Sequence, residues 1–517
     1  MPRLNTSERG PQQYLDVDHL TGDLRRRSVR GGALTIGNQG AKFILTLGST
    51  AILARILTPE DFGLIAMVMA IIGFIATFKD MGLAMATVQR HDIRHDQVST
   101  LFWINLGASF LIMALTASVA PLFAWLYDEP RVRLITMALA ITVIFSGLTV
   151  QHQALLRRQM RFAAIAAIEI SAMTIGLATA VACALAGLGY WSLVLAPITK
   201  EVATAAGVWA ACGWRPGRPA RRSGVRTLLS FGAHLTGFNL INYFARNLDK
   251  VLIGRYYGAA PAGLYTKAYA LVLLPIQQIN VPLTAVAVPT LSRLQGQLDR
   301  FRAYYRRGVM LAVAAGMPVI AFLFVDAERA VLTVLGDQWI EAVGIFRALA
   351  PAAFFGTFNV ATGWVYVTLD QTHRQFRWGI FASAFTVAAF AVGLRWGALG
   401  VGTAFSAAVV LLRVPALVYC FRPTPLGLSD FVAAVWRPFT ASLVAGAALH
   451  IVGRSIDLPI AVGARLVIDF ALYLVCYAVV WVGLPHGRRS AIDLLRLARE
   501  LRPARPPAAD ETAEPLH

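Results

Sequence analysis

The stretch 237–269, GFNLINYFARNLDKVLIGRYYGAAPAGLYTKAY, decides how the chain is read, because it carries Arg246, Asp249, Lys250 and Arg255 through an otherwise apolar setting. Its layout occurs twice. Upstream, 37–69 reads GNQGAKFILTLGSTAILARILTPEDFGLIAMVM, and Gly32, Gly37, Arg55, Gly63 and Leu64 fall opposite Gly232, Gly237, Arg255, Gly263 and Leu264 at one constant offset. The order of elements is also shared: apolar span, arginine, short turn, Gly-Leu, next span. Constant register and shared order indicate an internal duplication. The chain reads as two related halves and a tail.

Hydrophobic residues make up 57% and charged residues 15% of 517 residues, and mean hydropathy is +0.60, far more apolar than a soluble domain. This is the composition of a polytopic membrane protein. The formal net charge of +19 does not point to nucleic acid, because the arginines fall in short clusters between apolar runs, as topology determinants do. Cys183, Cys212, Cys420 and Cys476 lie in or beside apolar runs without a CxxC and read as small buried hydrophobes. The polar first thirty residues end in RRRSVR and lead into an apolar run too long for a signal-peptide core, so the first span is expected to be retained.

A crossing helix needs roughly 20 mostly apolar residues. That ruler places six spans near 33–54, 63–87, 99–124, 133–154, 163–186 and 189–212. Six more fall near 228–253, 263–288, 308–325, 345–369, 377–395 and 398–420, with two last spans near 431–453 and 459–484. The expected fold is therefore all-α, about fourteen transmembrane helices in two pseudo-symmetric six-helix lobes plus two C-terminal helices. The boundaries are 1–30 for a cytoplasmic N-terminal segment, 31–212 for the N-lobe, 213–227 for a basic linker, 228–420 for the C-lobe, 421–485 for the last two spans and 486–517 for a disordered tail.

Arginine clusters alternate with acidic turns such as Glu60–Asp61, Asp128–Glu129 and Asp326–Glu328. Lys and Arg are retained on the cytoplasmic side, so both termini are expected inside, and the repeats are related by a pseudo-two-fold along the membrane normal. The largest outer loop, around 326–344, is under about twenty residues, too short to host a catalytic domain. Inside, 291–307 places Leu291, Leu294, Leu298, Phe301 and Tyr305 at steps of three and four between arginines. That spacing predicts an amphipathic interfacial helix, with an extension of the preceding span as the alternative.

Walker A, HExxH and GxSxG signatures are absent, as is a carboxylate pair on a loop, so neither an enzyme nor a cofactor is indicated. What carries chemistry is charge inside the membrane, which normally faces a bundle interior or an aqueous cavity. The candidates are Lys42, Lys79, Asp80, Glu169, Lys200, Glu201, Arg246, Asp249, Lys250 and Lys267. All precede residue 270, which directs attention away from the last six spans. Lys79–Asp80 reads equally as a pair at the inner interface. Arg246 and Lys250 share a helix face and Asp249 offsets one of them, leaving a net positive patch. Arg55 and Arg255 read as structural, bonded to helix-end carbonyls. Pro275, Pro282 and Pro289 recur along span eight and favour kinks.

LDKVLIGRYYG followed by AGLYTKAYALVLLPIQQI and VPTLSRLQ, together with ARILTPEDFGLIAM and FKDMGLAMATVQR in the first half, resembles the polysaccharide transporter family. That family belongs to the multidrug/oligosaccharidyl-lipid/polysaccharide (MOP) flippase superfamily, and the likeness is to its Wzx-type branch. The resemblance covers most of residues 30–420. It implies a MATE-like fold in the inner membrane that carries a polyprenyl-diphosphate-linked oligosaccharide by alternating access for exopolysaccharide or lipopolysaccharide assembly. It further implies a polymerase and export machinery as partners. The last two spans depart from a twelve-span core. On this reading Lys42, Lys200, Arg246, Asp249, Lys250 and Lys267 are expected at the substrate, a cation-rich cavity offsetting the diphosphate; Asp80, Glu169 and Glu201 are candidates for ion coupling. Other readings are a cation-coupled drug exporter, a lipid-linked peptidoglycan precursor flippase, a membrane polymerase or ligase, and a structural assembly partner.

Overall fold

In a bilayer every backbone N–H and C=O must be satisfied within its own segment or by a closed barrel. The computed structural model resolves this chain accordingly. It describes residues 24–76, 87–88, 93–220, 247–455 and 460–492, and every regular element among them is helical. In the first half these are α1 (Leu24–Ile56), α2 (Pro59–Ala76), α3 (His95–Tyr127), α4 (Arg131–Arg158), α5 (Phe162–Leu185) and α6 (Trp191–Cys212). After the helical residues 247–257, labelled α7, come α8 (Ala259–Arg293), α9 (Leu298–Val325), α10 (Ala327–Leu335), α11 (Ala342–Gly356), α12 (Asn359–Thr368), α13 (Thr372–Gly393) and α14 (Gly397–Phe421). The last two are α15 (Leu428–Ser455) and α16 (Val462–Gly483).

Ten segments among the described residues are long and apolar enough to cross a membrane, and one of these, Thr372–Phe421, is the α13–α14 hairpin. The expectation of fourteen rests partly on 77–86 and 221–246, which lie outside the described residues.

The packing repeats between halves. α5 lies on α6, α4 on α6, α2 on α4 and α3 on α4; in the second half α13 lies on α14, α11 on α14, α8 on α11 and α9 on α11. The duplication read from five residues is thus also a duplication of contacts. The halves meet where α2 crosses α8. A Cβ on Gly63 would lie 1.7 Å from the Ala259 carbonyl oxygen, and one on Gly263 would lie 1.8 Å from that of Pro59. Positions 59 and 259 are equivalent under the repeat, as are 63 and 263, so each half presents the same pair to the other. Such reciprocity is the mark of a two-fold interface, and glycine is the residue that permits backbones to approach this closely.

Further contacts gather at that end. Arg55 donates from Nη2 to the carbonyl of Thr333 in the last turn of α10 at 2.8 Å, satisfying an orphan helix-end acceptor. Trp339 donates from Nε1 to the Ala54 carbonyl at 2.8 Å. The loop around 326–344 therefore contains α10 and a 3-10 turn at Asp337–Trp339 and acts as a clasp between halves. Arg255 differs from Arg55: its guanidinium sits 5.8 Å from the Tyr256 ring centroid. Arg131 joins α4 to the first turn of α2, reaching Glu129 at 2.8 Å and Glu60 at 2.5 Å; its guanidinium holds the Glu129 carboxyl below the usual carboxylate range.

One expectation is corrected here. The segment 291–307 is not a single interfacial helix: 291–293 close α8, 294–297 form a turn, and 298–307 open α9. Phe301 and Tyr305 are buried, Tyr305 bonding the Ala361 carbonyl at 3.1 Å, whereas Leu298 is exposed. An apolar stripe at steps of three and four serves a protein core as well as a lipid surface, and periodicity alone does not separate them. The opening of the linker is also tied down. Trp214 donates to His95 Nδ1 at 3.1 Å, Ser99 Oγ accepts the Gly217 N–H at 2.9 Å, and Trp103 donates to the Gly217 carbonyl at 2.8 Å. α15 packs on α9, and α16 on α15 and α10, so the last two helices flank the second half.

Candidate functional site

The tenth expected span, near 345–369, is broken. α11 stops at Gly356 and α12 restarts at Asn359, with Thr357 and Phe358 between them. Its counterpart in the first half, α4, runs without interruption. The interruption is local: Thr357 and Phe358 stay in the right-handed helical region, and their N–H groups bond the Ala353 and Phe355 carbonyls. Here the break opens on a cavity of about 550 Å³ walled by α7, α8, α11, α12, α13 and α14. Its lining includes Asp249, Tyr269, Asn359, Tyr366, Gln375, Trp378 and Arg413.

Arg413 is 9% exposed. Its Nη1 donates to Asn359 Oδ1 at 2.7 Å, and its Nε has no hydrogen-bond partner among the described residues. Asp249 is 2% exposed. Its two oxygens accept from the Tyr265 hydroxyl at 2.9 Å and the Lys250 N–H at 2.8 Å. Trp378 stacks on Tyr419, with ring centroids 5.5 Å apart, and Arg374 lies 4.3 Å above that Tyr419 ring. The cavity thus offers one buried guanidinium with unused donors, one buried carboxylate, amides and aromatic faces. Guanidinium donors suit carboxylate or phosphate oxygens, and aromatic faces with amide groups suit polar rings such as sugars.

Of the charged candidates from the sequence that fall among the described residues, only Asp249 lines this cavity. Lys250 donates to Asn247 Oδ1 at 2.9 Å and lies 5.6 Å from the Tyr269 centroid, at the rim. Lys267 stands 3.9 Å over the Phe62 ring, at the α2–α8 crossing between halves. Lys42 and Glu169 are ion-paired with each other, and Asn38 donates to the same Glu169 oxygen at 2.7 Å. Lys200 is exposed and Glu201 half-buried, and neither has an ion-pair partner among the described residues. Arg246, Lys79 and Asp80 lie outside the described residues.

The last six spans do carry buried charge, at Arg413, Arg465 and Asp469. Arg413 stands in VVLLRVPALV, a lone arginine in an apolar run, which is the same signal that flagged the other candidates. Arg465 and Asp469, both buried, also lie in the last span; Arg465 bonds Asp469 at 3.0 Å, while Arg329 reaches Asp469 at 3.2 Å and Asp326 at 2.7 Å. Two arginines against two aspartates balance, so this network fastens α16 to α10. Arg413 has no such carboxylate among the described residues.

The Lys42–Glu169 pair makes its own prediction. Lys42→Met and Glu169→Gln should each lower the yield of folded protein in detergent extracts. The double variant should recover most of it, because a lone charge costs more than a removed pair. Fluorescence size-exclusion profiles read the outcome, and additive losses would mean the two side chains act independently.

Residues 52–344 match the family described as "Polysaccharide biosynthesis protein". The chain belongs to this family. Among curated relatives it is 26% identical over 410 residues to the lipopolysaccharide biosynthesis protein WzxC of Escherichia coli (strain K12), covering 77% of this chain and 82% of the relative. It is 26% identical over 408 residues to the teichuronic acid biosynthesis protein TuaB of Bacillus subtilis (strain 168), covering 77% and 83%. It is 27% identical over 421 residues to the succinoglycan biosynthesis transport protein ExoT of Rhizobium meliloti (strain 1021), covering 79% and 82%. The fold of this family member is that of the lipid II flippase MurJ in an inward closed conformation, with a TM-score of 0.71 at 13% identity, covering 90% of this chain and 100% of MurJ. An inward-facing multidrug resistance MATE transporter of the MOP superfamily also shares it, with a TM-score of 0.60 at 14% identity, covering 74% and 94%.

Proposed function

We propose that this chain is a flippase that carries a polyprenyl-diphosphate-linked oligosaccharide across the inner membrane for exopolysaccharide or lipopolysaccharide assembly. The observation that carries the reading is a polar cavity with a buried guanidinium, inside the helical bundle of a polysaccharide biosynthesis family member. The relatives named for lipopolysaccharide, teichuronic acid and succinoglycan biosynthesis support it. The two halves, 31–212 and 228–420, act as lobes, and the spans in 421–485 flank the second. Arg413 and the aromatic faces hold the glycan, while Lys250, Lys267, Lys200 and Arg246 offset the diphosphate along its path. The contact between halves at Gly63 and Gly263 is the outer closure, which parts when the lobes rock. No step breaks a covalent bond, so the chain is a transporter and not an enzyme. A drug exporter needs a free carboxylate in the first half for a cationic substrate, and Glu169 is already compensated by Lys42.

Deletion of the gene should make lipid-linked repeat units accumulate on the inner leaflet while surface polysaccharide disappears. Normal surface polysaccharide with no accumulation would overturn the proposal. The orientation has a separate test. Reporter fusions after residues 226 and 307 should read cytoplasmic and fusions near 129 and 337 extracytoplasmic, from the alternation of arginine clusters and acidic turns. Inverted readings at two of these sites would reverse the assignment.

A further inference from the structure

A second pocket, of about 290 Å³, lies between α9, α15 and the segment that follows α16. Arg306 and Arg307 enter it from α9, Arg437 from α15, and His486 and Arg489 from beyond α16. No carboxylate lines it among the described residues. The nearest acidic group along α15, Asp430, is engaged by the Gly427 N–H at 3.0 Å and by Arg302 at 3.7 Å. Four guanidiniums that share a pocket without a carboxylate among the described residues repel one another, an arrangement that an anion relieves.

The walls are fixed. Arg437 donates from Nε to the Pro485 carbonyl at 3.0 Å and lies 4.8 Å over the Trp436 ring, which holds the turn after α16 against α15. Ser490 Oγ meets Met310 Sδ at 3.1 Å, which closes the wall toward α9. His486 is left-handed, with φ +59, a conformation rare outside glycine that concentrates at functional sites. At Gly487 a Cβ would sit 1.8 Å from the Trp481 carbonyl oxygen, so only glycine allows the turn. Beside the pocket, Val432, Val482 and Ile492 are exposed apolar side chains on the same two helices and the segment after them. Solvent-accessible cations around a pocket with apolar flanks match an anionic headgroup with its acyl chains. The arginine clusters around 300–307 and 488–489 are those that the charge alternation places on the inner side.

We propose that this pocket binds the phosphate-bearing headgroup of a lipid in the inner leaflet, which gives the last two helices a binding role outside the cavity of the second half. Basic pockets between transmembrane helices on the cytoplasmic side are the usual sites for such headgroups. The phosphate belongs either to a resident anionic glycerophospholipid or to the diphosphate of a polyprenyl carrier, and one experiment separates the two.

The full chain, purified in detergent, is titrated with cardiolipin, phosphatidylglycerol, phosphatidylcholine and undecaprenyl diphosphate and read by native mass spectrometry. The Arg306→Gln/Arg437→Gln/Arg489→Gln variant should bind its anionic ligand about 100-fold more weakly, with phosphatidylcholine unaffected. Loss of cardiolipin and phosphatidylglycerol identifies a resident lipid; loss of undecaprenyl diphosphate alone identifies the carrier. The corresponding Arg→Lys variant should keep part of the affinity, and Arg377→Gln/Arg422→Gln, outside the pocket, should change nothing. Arg489→Glu at an exposed position gives the same reading where the triple variant does not fold. Unchanged binding of all four lipids, or an equal loss in the Arg377/Arg422 control, would overturn the site. None of these readings depends on transport.

Discussion

Replacing Arg413 by Gln is expected to cut transport of the lipid-linked repeat unit by roughly 10- to 100-fold, the loss of a charge-assisted hydrogen bond in a buried site, while the protein remains inserted and abundant. The guanidinium is buried, is held by a single bond to Asn359, and faces a cavity of about 550 Å³ with its Nε uncommitted among the described residues. Arg413→Lys keeps the sign of the charge but not the fork geometry and should retain part of the activity. Asn359→Ala should fall between the two, because it removes only the partner that aims the guanidinium. Translocation into proteoliposomes, normalised to protein content, reads all three. Wild-type transport by Arg413→Gln would place the substrate elsewhere, and a loss confined to protein level would make Arg413 a structural residue.

Adding one methyl at the crossing of the halves should produce the second large effect. In Gly263→Ala the new Cβ would fall 1.8 Å from the Pro59 carbonyl oxygen, and in Gly63→Ala 1.7 Å from that of Ala259. Backbone atoms cannot rotate aside, so α2 and α8 must separate. Overpacking of this kind costs about 1–3 kcal/mol, which biases a two-state equilibrium roughly 5- to 150-fold against the closed contact. A cysteine placed at Phe62, with the four native cysteines changed to Ser, should then react faster with a membrane-impermeant reagent applied outside. Transport should fall because the closed state is depopulated. Because the contact is reciprocal, the two single variants should have similar effects and the double should add little. Unchanged labelling in both would mean that this crossing does not part during the cycle.

The sequence by itself determined the all-helical membrane character and the two-fold repetition, and the physical reason is local. Runs of apolar residues long enough to span hydrocarbon leave the backbone no option but helix. A constant offset between Gly63–Leu64 and Gly263–Leu264 is visible without coordinates. It also identified Asp249, because a carboxylate within an apolar run is expensive wherever it points. Only the tertiary structure decided which charges stand alone. Lys42 and Glu169 lie far apart in the chain and neutralise each other across α1 and α5, while Arg413 bonds the neutral Asn359 and no carboxylate among the described residues. Likewise the stripe from Leu291 to Tyr305 is legible as amphipathic, but whether protein or lipid covers it depends on α12 lying beside it, with Ala361 receiving the Tyr305 hydroxyl. Charge and periodicity are properties of a segment. Partnership is a property of the packing, and it is partnership that separates a fastening ion pair from a site.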